Sequence, residues 1–162
     1  MATDQKPQIL ASVLDRLINE DPGASREALP RRSQTLGELE TTVAHDLEAL
    51  LNTRREALAD LSPEYCEVNR SLVVYGLPDF TALSLQSRED CDRIRRAVEQ
   101  AVNNFEPRLE RARVTLEASP RHDRGLRFQI EALLNVEPAP EPVMFDAVLQ
   151  LSTQKYVVRG GS

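Results

Sequence analysis

The hydrophobic period of this chain changes at Pro107, and that change constrains most of what it can fold into. Upstream, Cys91, Ile94, Ala97, Val98, Ala101, Val102 and Phe105 recur at the 3.6-residue spacing of one helix face. Downstream, Ala112, Val114 and Leu116 alternate with Arg111, Arg113, Thr115 and Glu117, the two-residue period of a half-buried strand. A proline disfavours helical dihedrals in the residue before it, so the helix is predicted to stop near Phe105 or Glu106. In an extended chain beyond it, Glu106 and Arg108 share the parity of the apolar positions. Two charges therefore fall on the core side of a sheet. Either they pair with each other at its rim or they await a partner.

The two-residue period recurs twice more. Leu126, Phe128, Ile130, Ala132 and Leu134 form one alternating run, and Val143, Phe145, Ala147, Leu149 and Leu151 form another. Polar turns at Ser119–Gly125 and Pro138–Pro142 separate the runs, which predicts an antiparallel meander with one apolar face. Tyr156, Val157 and Val158 supply a short edge strand. Before the sheet come helices. Thr35 with Glu38 has capping-box spacing and opens a helix over 36–53, with Leu39, Val43, Leu47, Leu50 and Leu51 as its stripe. Ser87, with Asp90 three residues on, opens the helix that ends at Phe105. A shorter segment from Glu64 to Tyr75 reads as partly helical, with Cys66, Val68, Leu72, Val73 and Tyr75 partly buried, and Leu77–Phe80 reads as an ordered loop. The predicted class is α+β: N-terminal helices packed on one face of a C-terminal sheet of three to four antiparallel strands.

Residues 1–34 read as a flexible extension with an amphipathic helix at 9–20, built on Ile9, Leu10, Val13, Leu14, Leu17 and Ile18. Residues 35–159 form the domain proper, and Gly160–Ser162 reads as a flexible tail. A chain of 162 residues buries roughly 70% of its unfolded surface, enough for a single core. With 20 basic and 26 acidic residues it carries a net charge of −6, which argues against nucleic acid or anionic lipid as the main partner. No apolar run is long enough to span a bilayer and no signal-peptide region opens the chain, so direct membrane insertion is not expected and a cytoplasmic protein is. Cys66 and Cys91 lack metal-ligand spacing and read as reduced thiols. His45 and His122 have no companion ligands, and no glycine-rich loop follows a strand, so neither metal nor cofactor is implied. The basic cluster Arg121–Arg127 reads as a solvated hairpin loop.

Four stretches resemble, in order, a family of contractile-machine proteins. They are Ser12–Leu17, Asp46–Arg54, Tyr75-Gly76-Leu77-Pro78-Asp79-Phe80 and Phe105-Glu106-Pro107-Arg108-Leu109. The chain is similar to the TssE family, the small baseplate subunits of bacterial type VI secretion systems. That family is akin to the small wedge protein of phage-tail baseplates, often labelled gp25-like lysozyme. The resemblance implies a structural role in the bacterial cytoplasm, at a baseplate on the inner membrane's cytoplasmic side. It implies that Glu106, Pro107 and Arg108 dock the subunit on the wedge proteins TssF and TssG. It implies a second contact with the TssB/TssC sheath by strand addition to the meander, and makes TssK a further candidate partner. Pro78, Asp79, Leu14 and Leu17 join the candidate partner-binding residues.

Each of these has a plainer reading. Glu106 and Arg108 suit a surface ion pair, worth about 0–1 kcal/mol. Pro78 and Asp79 are ordinary turn residues, because proline presets φ and aspartate accepts backbone hydrogen bonds. Leu14 and Leu17 suit either the chain's own core or a partner. The family's label also raises a peptidoglycan-cleaving hydrolase. Glycosidases need two carboxyls at a defined separation, but among 26 acids some pair is always available. Tryptophan is absent and aromatics make up 4% of the chain, so sugar-stacking platforms are scarce. A non-enzymatic role is the expectation.

Overall fold

The computed structural model describes residues 9–10, 33–55, 64–84, 87–117, 125–150 and 155–161. Two short strands, β1 (Ile9–Leu10) and β2 (Ser33–Gln34), pair antiparallel just ahead of helix α1 (Leu36–Asn52). Helix α2 (Arg88–Phe105) leads through the Pro107 corner into β3 (Leu109–Glu117). Strands β4 (Gly125–Leu134), β5 (Glu141–Gln150) and β6 (Lys155–Gly161) follow in an antiparallel meander of order β3-β4-β5-β6.

Both helices begin where their capping residues stand. Thr35 Oγ1 accepts from the Glu38 amide at 3.3 Å, and Glu38 Oε2 accepts from the Thr35 amide at 2.8 Å, completing the capping box. Ser87 Oγ caps the Asp90 amide at 3.3 Å, whereas the Asp90 carboxylate turns away to the Ser84 amide at 3.0 Å. The two helices lie on one face of the sheet, α1 against β6 and α2 against β3. Their stripes (Leu39, Val43, Leu47, Leu50 and Leu51; Ile94, Val98, Ala101 and Val102) meet the inward positions Val114, Phe128, Ile130, Val143, Phe145, Ala147 and Val158 in one buried cluster. The alternation read from the sequence therefore selects the sheet's core face, and the α+β arrangement is as expected.

Several local expectations are corrected. Ile9 and Leu10 form a strand rather than opening a helix, and residues 11–20 lie outside the described residues. Gly160 and Gly161 pair with Phe145 and Met144 in β6 instead of trailing as a tail. The 64–75 segment contains two three-residue 3-10 turns, Val68–Arg70 and Leu72–Val74. Val74 is buried there, but Cys66, Leu72 and Val73 are exposed. Turns this short have no continuous inward stripe, and of the two only the second reaches the core, through Val74.

The parity argument at Pro107 also fails, for a specific reason. Leu109 and Ala112 are both buried although they differ in parity. Between them Arg111 adopts φ 55° and the register with β4 slips, so that Arg111 and Ala112 together face Ala132. This bulge resets the alternation, and Glu106 and Arg108 precede the strand instead of sharing its core face.

Candidate partner-docking site

The Glu106–Arg108 corner is a tight turn with its charges folded inward. Glu106 closes α2, its amide bonding to the Val102 carbonyl at 3.0 Å. Its own carbonyl accepts from the Leu109 amide at 3.1 Å, which places the exposed Pro107 at the second position of the turn, where its fixed φ fits. The Glu106 side chain is only 6% exposed. It accepts from the Arg108 amide at 3.2 Å, from Arg108 Nε at 2.7 Å and from Arg108 Nη2 at 2.6 Å. This is a bidentate guanidinium–carboxylate pair, the strong form of such contacts. Arg108 Nη2 also donates to Asp46 Oδ2, reaching across to α1. The Arg108 carbonyl accepts from the Asn135 amide at 2.8 Å, tying the corner to the end of β4.

Arg108 thus ties together the end of α2 and α1 through its guanidinium, and the end of β4 through its carbonyl. Its hydrogen bonds to Glu106 first, and then to Asp46, hold its pKa above the ordinary value against the opposing effect of burial. The plainer reading of the two charges, an exposed pair of little weight, does not describe this geometry. Arg108 and Asp46 nevertheless keep 28% and 42% of their side-chain surface, so the cluster still faces solvent on one side.

The Tyr75–Phe80 loop sits against the same corner. Gly76 has φ 97°, and a Cβ on it would lie 2.4 Å from the Thr53 carbonyl oxygen, so only glycine allows this approach. Leu77 bonds to Thr53 at 2.8 Å and Arg55 to Leu77 at 2.9 Å, fastening the loop to the chain leaving α1. Tyr75 packs edge-on against Phe105 at 5.2 Å. Burial, then the charges of Asp46 and Glu106, push its phenol pKa upward. Pro78 lines a depression of about 90 Å³ with Gly76, Asn104 and Phe105, next to the corner. Asp79 caps the Thr81 amide at 3.0 Å and lies 3.9 Å from Arg54 with both side chains more than half exposed. That amide is the first cause of its lowered pKa. Pro78 and Asp79 are therefore turn residues in their geometry, as their chemistry suggested, and the loop brings Pro78 against the last turn of α2 at Asn104 and Phe105. Leu14 and Leu17 lie outside the described residues.

Sequence reasoning missed the side chains that close the two outer edges of the sheet. On β3, Glu99 Oε2 accepts from the Val114 amide at 3.0 Å, Asn103 Nδ2 donates to the Ala112 carbonyl at 3.0 Å, and Arg95 Nη1 reaches the Val114 carbonyl at 3.5 Å. On β6, Asn52 bonds both the amide and the carbonyl of Tyr156 at 2.9 Å, and Glu48 Oε2 accepts from the Val158 amide at 3.0 Å. The spacing explains the fit. Side chains four residues apart on a helix are separated by about 6 Å, and outward-facing strand residues two apart by about 6.7 Å. Each helix therefore offers a comb of polar groups matched to a strand edge. The signal available in the sequence was polar residues at i, i+4 spacing beside each apolar stripe.

The sequence profile of the family "Baseplate wedge protein gp25" matches residues 37–139, more than half of the chain. The chain belongs to this family. It is accordingly a structural component of a phage-tail-like baseplate. The gp25 match runs from the start of α1 to the turn before β5, covering the corner, the Tyr75–Phe80 loop and the β3 comb, while β5 and β6 lie beyond it. No curated protein and no solved structure gave a match. Among the described residues no helix is long and apolar enough to cross a membrane, and no group of three or more His, Cys, Asp or Glu is placed to hold a metal ion.

Proposed function

We propose that this gp25-family chain is the small baseplate subunit of a type VI secretion system, docking on the TssF/TssG wedge and joining it to the TssB/TssC sheath. The observation that carries the reading is the corner itself. Glu106, Arg108 and Asp46 form a hydrogen-bonded charged cluster that reaches solvent through Arg108 and Asp46, with Pro107 exposed and Pro78 lining a depression against Phe105. Such a cluster presents polar groups whose positions are fixed before a partner arrives, which lowers the ordering cost of association. The role is geometric: one surface holds the wedge, another meets the sheath, and contraction passes between them. TssK is a further candidate contact in the same assembly.

Arg108 serves fold and docking at once, so it cannot separate them. Pro107 can, because it is exposed and its ring contributes no hydrogen bond. Pro107→Asp is expected to cut co-purification with TssF and TssG at least tenfold while leaving the melting temperature within a few degrees of wild type. Undiminished capture of both proteins would overturn the docking reading. Incubation with purified peptidoglycan is expected to release no soluble fragments; release abolished by mutating one acid would replace the structural role with an enzymatic one.

A further inference from the structure

The two sheet edges differ in how firmly they are closed. On β3 the comb is braced: Arg95, which reaches the Val114 carbonyl, is also ion-paired to Glu99 at 3.1 Å and lies 3.6 Å from Asp92. Moving Glu99 away from Val114 disturbs Arg95 as well. The bulge at Arg111 also breaks this edge, a common means of preventing edge-to-edge pairing. On β6 the register with β5 runs unbroken from Lys155 to Gly161. Its comb has two teeth, and no ion pair to Glu48 is formed among the described residues. The outward positions alternate through Tyr156, Val158 and Gly160. The comb covers the first two, and Gly160 is exposed.

We propose that β6, not β3, is the edge on which an extended segment of a partner protein pairs, with Glu48 and Asn52 as the latch it displaces. This rests on the reading that the sheath joins by strand addition, and it names the edge and its gate. The segment enters at Gly160 and zips toward Tyr156. Each side-chain bond it displaces is replaced by a backbone bond, so the exchange carries little cost while the latch keeps the edge satisfied beforehand. The surroundings define the partner's chemistry. The displaced Glu48 carboxylate turns to solvent, leaving the helix side of the incoming strand without a charge requirement. The exposed Lys155 and Arg159, on the sheet face away from the helices, call for acidic residues on that face of the incoming strand.

Two measurements test this. In the free protein, hydrogen exchange resolved by residue is expected to be at least tenfold faster at the Val158 amide than at Val114; equal or slower exchange at Val158 overturns the latch. In wedges reconstituted with TssF, TssG, TssB and TssC, Gly160→Pro removes an outward donor at an exposed position. It is expected to lower sheath retention at least tenfold without changing TssF/TssG capture. Glu48→Gln is expected to raise retention about threefold, and Glu99→Gln to leave it unchanged. Wild-type retention with no loss in Gly160→Pro, or a rise with Glu99→Gln alone, overturns the edge assignment but keeps the sheath reading. Absence of sheath from wild-type wedges overturns both. Self-association of the free chain that Gly160→Pro abolishes would make a second copy the occupant and overturn the partner proposed.

Discussion

The β3 and β6 edges solve one problem with unequal strength. Each outer strand has backbone groups with no neighbouring strand, and each is lined by a helix running antiparallel to it. On β3 the helix is the one that turns directly into the strand at Pro107, so comb, corner and strand are one continuous unit. On β6 the lining helix is more than a hundred residues away in the chain, and among the described residues Asn52 and Glu48 supply the hydrogen bonds between them. Proximity along the chain gives β3 its bracing; β6 depends on the fold being complete.

The sharpest way to break this contrast is to remove what anchors β3. Arg108→Ala leaves the Glu106 carboxylate buried without its partner and frees Asp46 from the corner, and such a loss costs about 3 kcal/mol. Urea unfolding is expected to show that decrease. A change below about 1 kcal/mol would mean that the corner is a docking surface that carries little of the fold.

Alkali should weaken the β6 side first. Tyr156 is buried beside Phe128, at 5.9 Å between ring centres, and its hydroxyl has no hydrogen-bond partner among the described residues. Burial pushes its pKa up to about 12. The folded state therefore favours the neutral phenol, a contribution fully present below about pH 10 and lost as pH rises toward 12. The loss amounts to about 2 kcal/mol. Tyr156→Phe should flatten the decline in stability between pH 10 and 12 without lowering stability at pH 7. The rise at Tyr75 keeps the profile from becoming level. An unchanged alkaline profile in Tyr156→Phe would contradict this.

A smaller effect compares the combs directly. Glu99→Ala removes the acceptor for Val114 and the partner of Arg95, whereas Glu48→Ala removes only the acceptor for Val158. Losses of about 2 and about 1 kcal/mol are expected from denaturant titration, since hydrogen bonds to charged groups are worth about 1.5–3 kcal/mol and exposure reduces that. Equal losses would remove the asymmetry between the edges.

Much of the fold was legible in the chain. Thr35 with Glu38 and Ser87 with Asp90 marked both helix starts, and the alternation through Phe128, Ile130, Val143 and Phe145 identified the core face. Capping and periodicity are local, so a few adjacent residues carry them. The corner was only half legible. Glu106 and Arg108 were visible as a pair, but their third member, Asp46, lies 62 residues from Arg108. The parity argument failed at Arg111 because one left-handed residue shifts a register without leaving a composition signal. The exposure of Leu72 and Val73 was missed because their apolar character suggested burial, while the short 3-10 turns around them face outward.

The place where helix ends and strand begins, at Pro107, is written in the chain, because a proline's steric effect acts on its immediate neighbour. The apolar side of each strand is written there too. What the charges at that boundary do, and which helix side chains close each sheet edge, emerged only from the packing of distant segments. Those outcomes depend on which helix side chains come within about 3 Å of which backbone groups, and hydrogen bonds reach little farther than that.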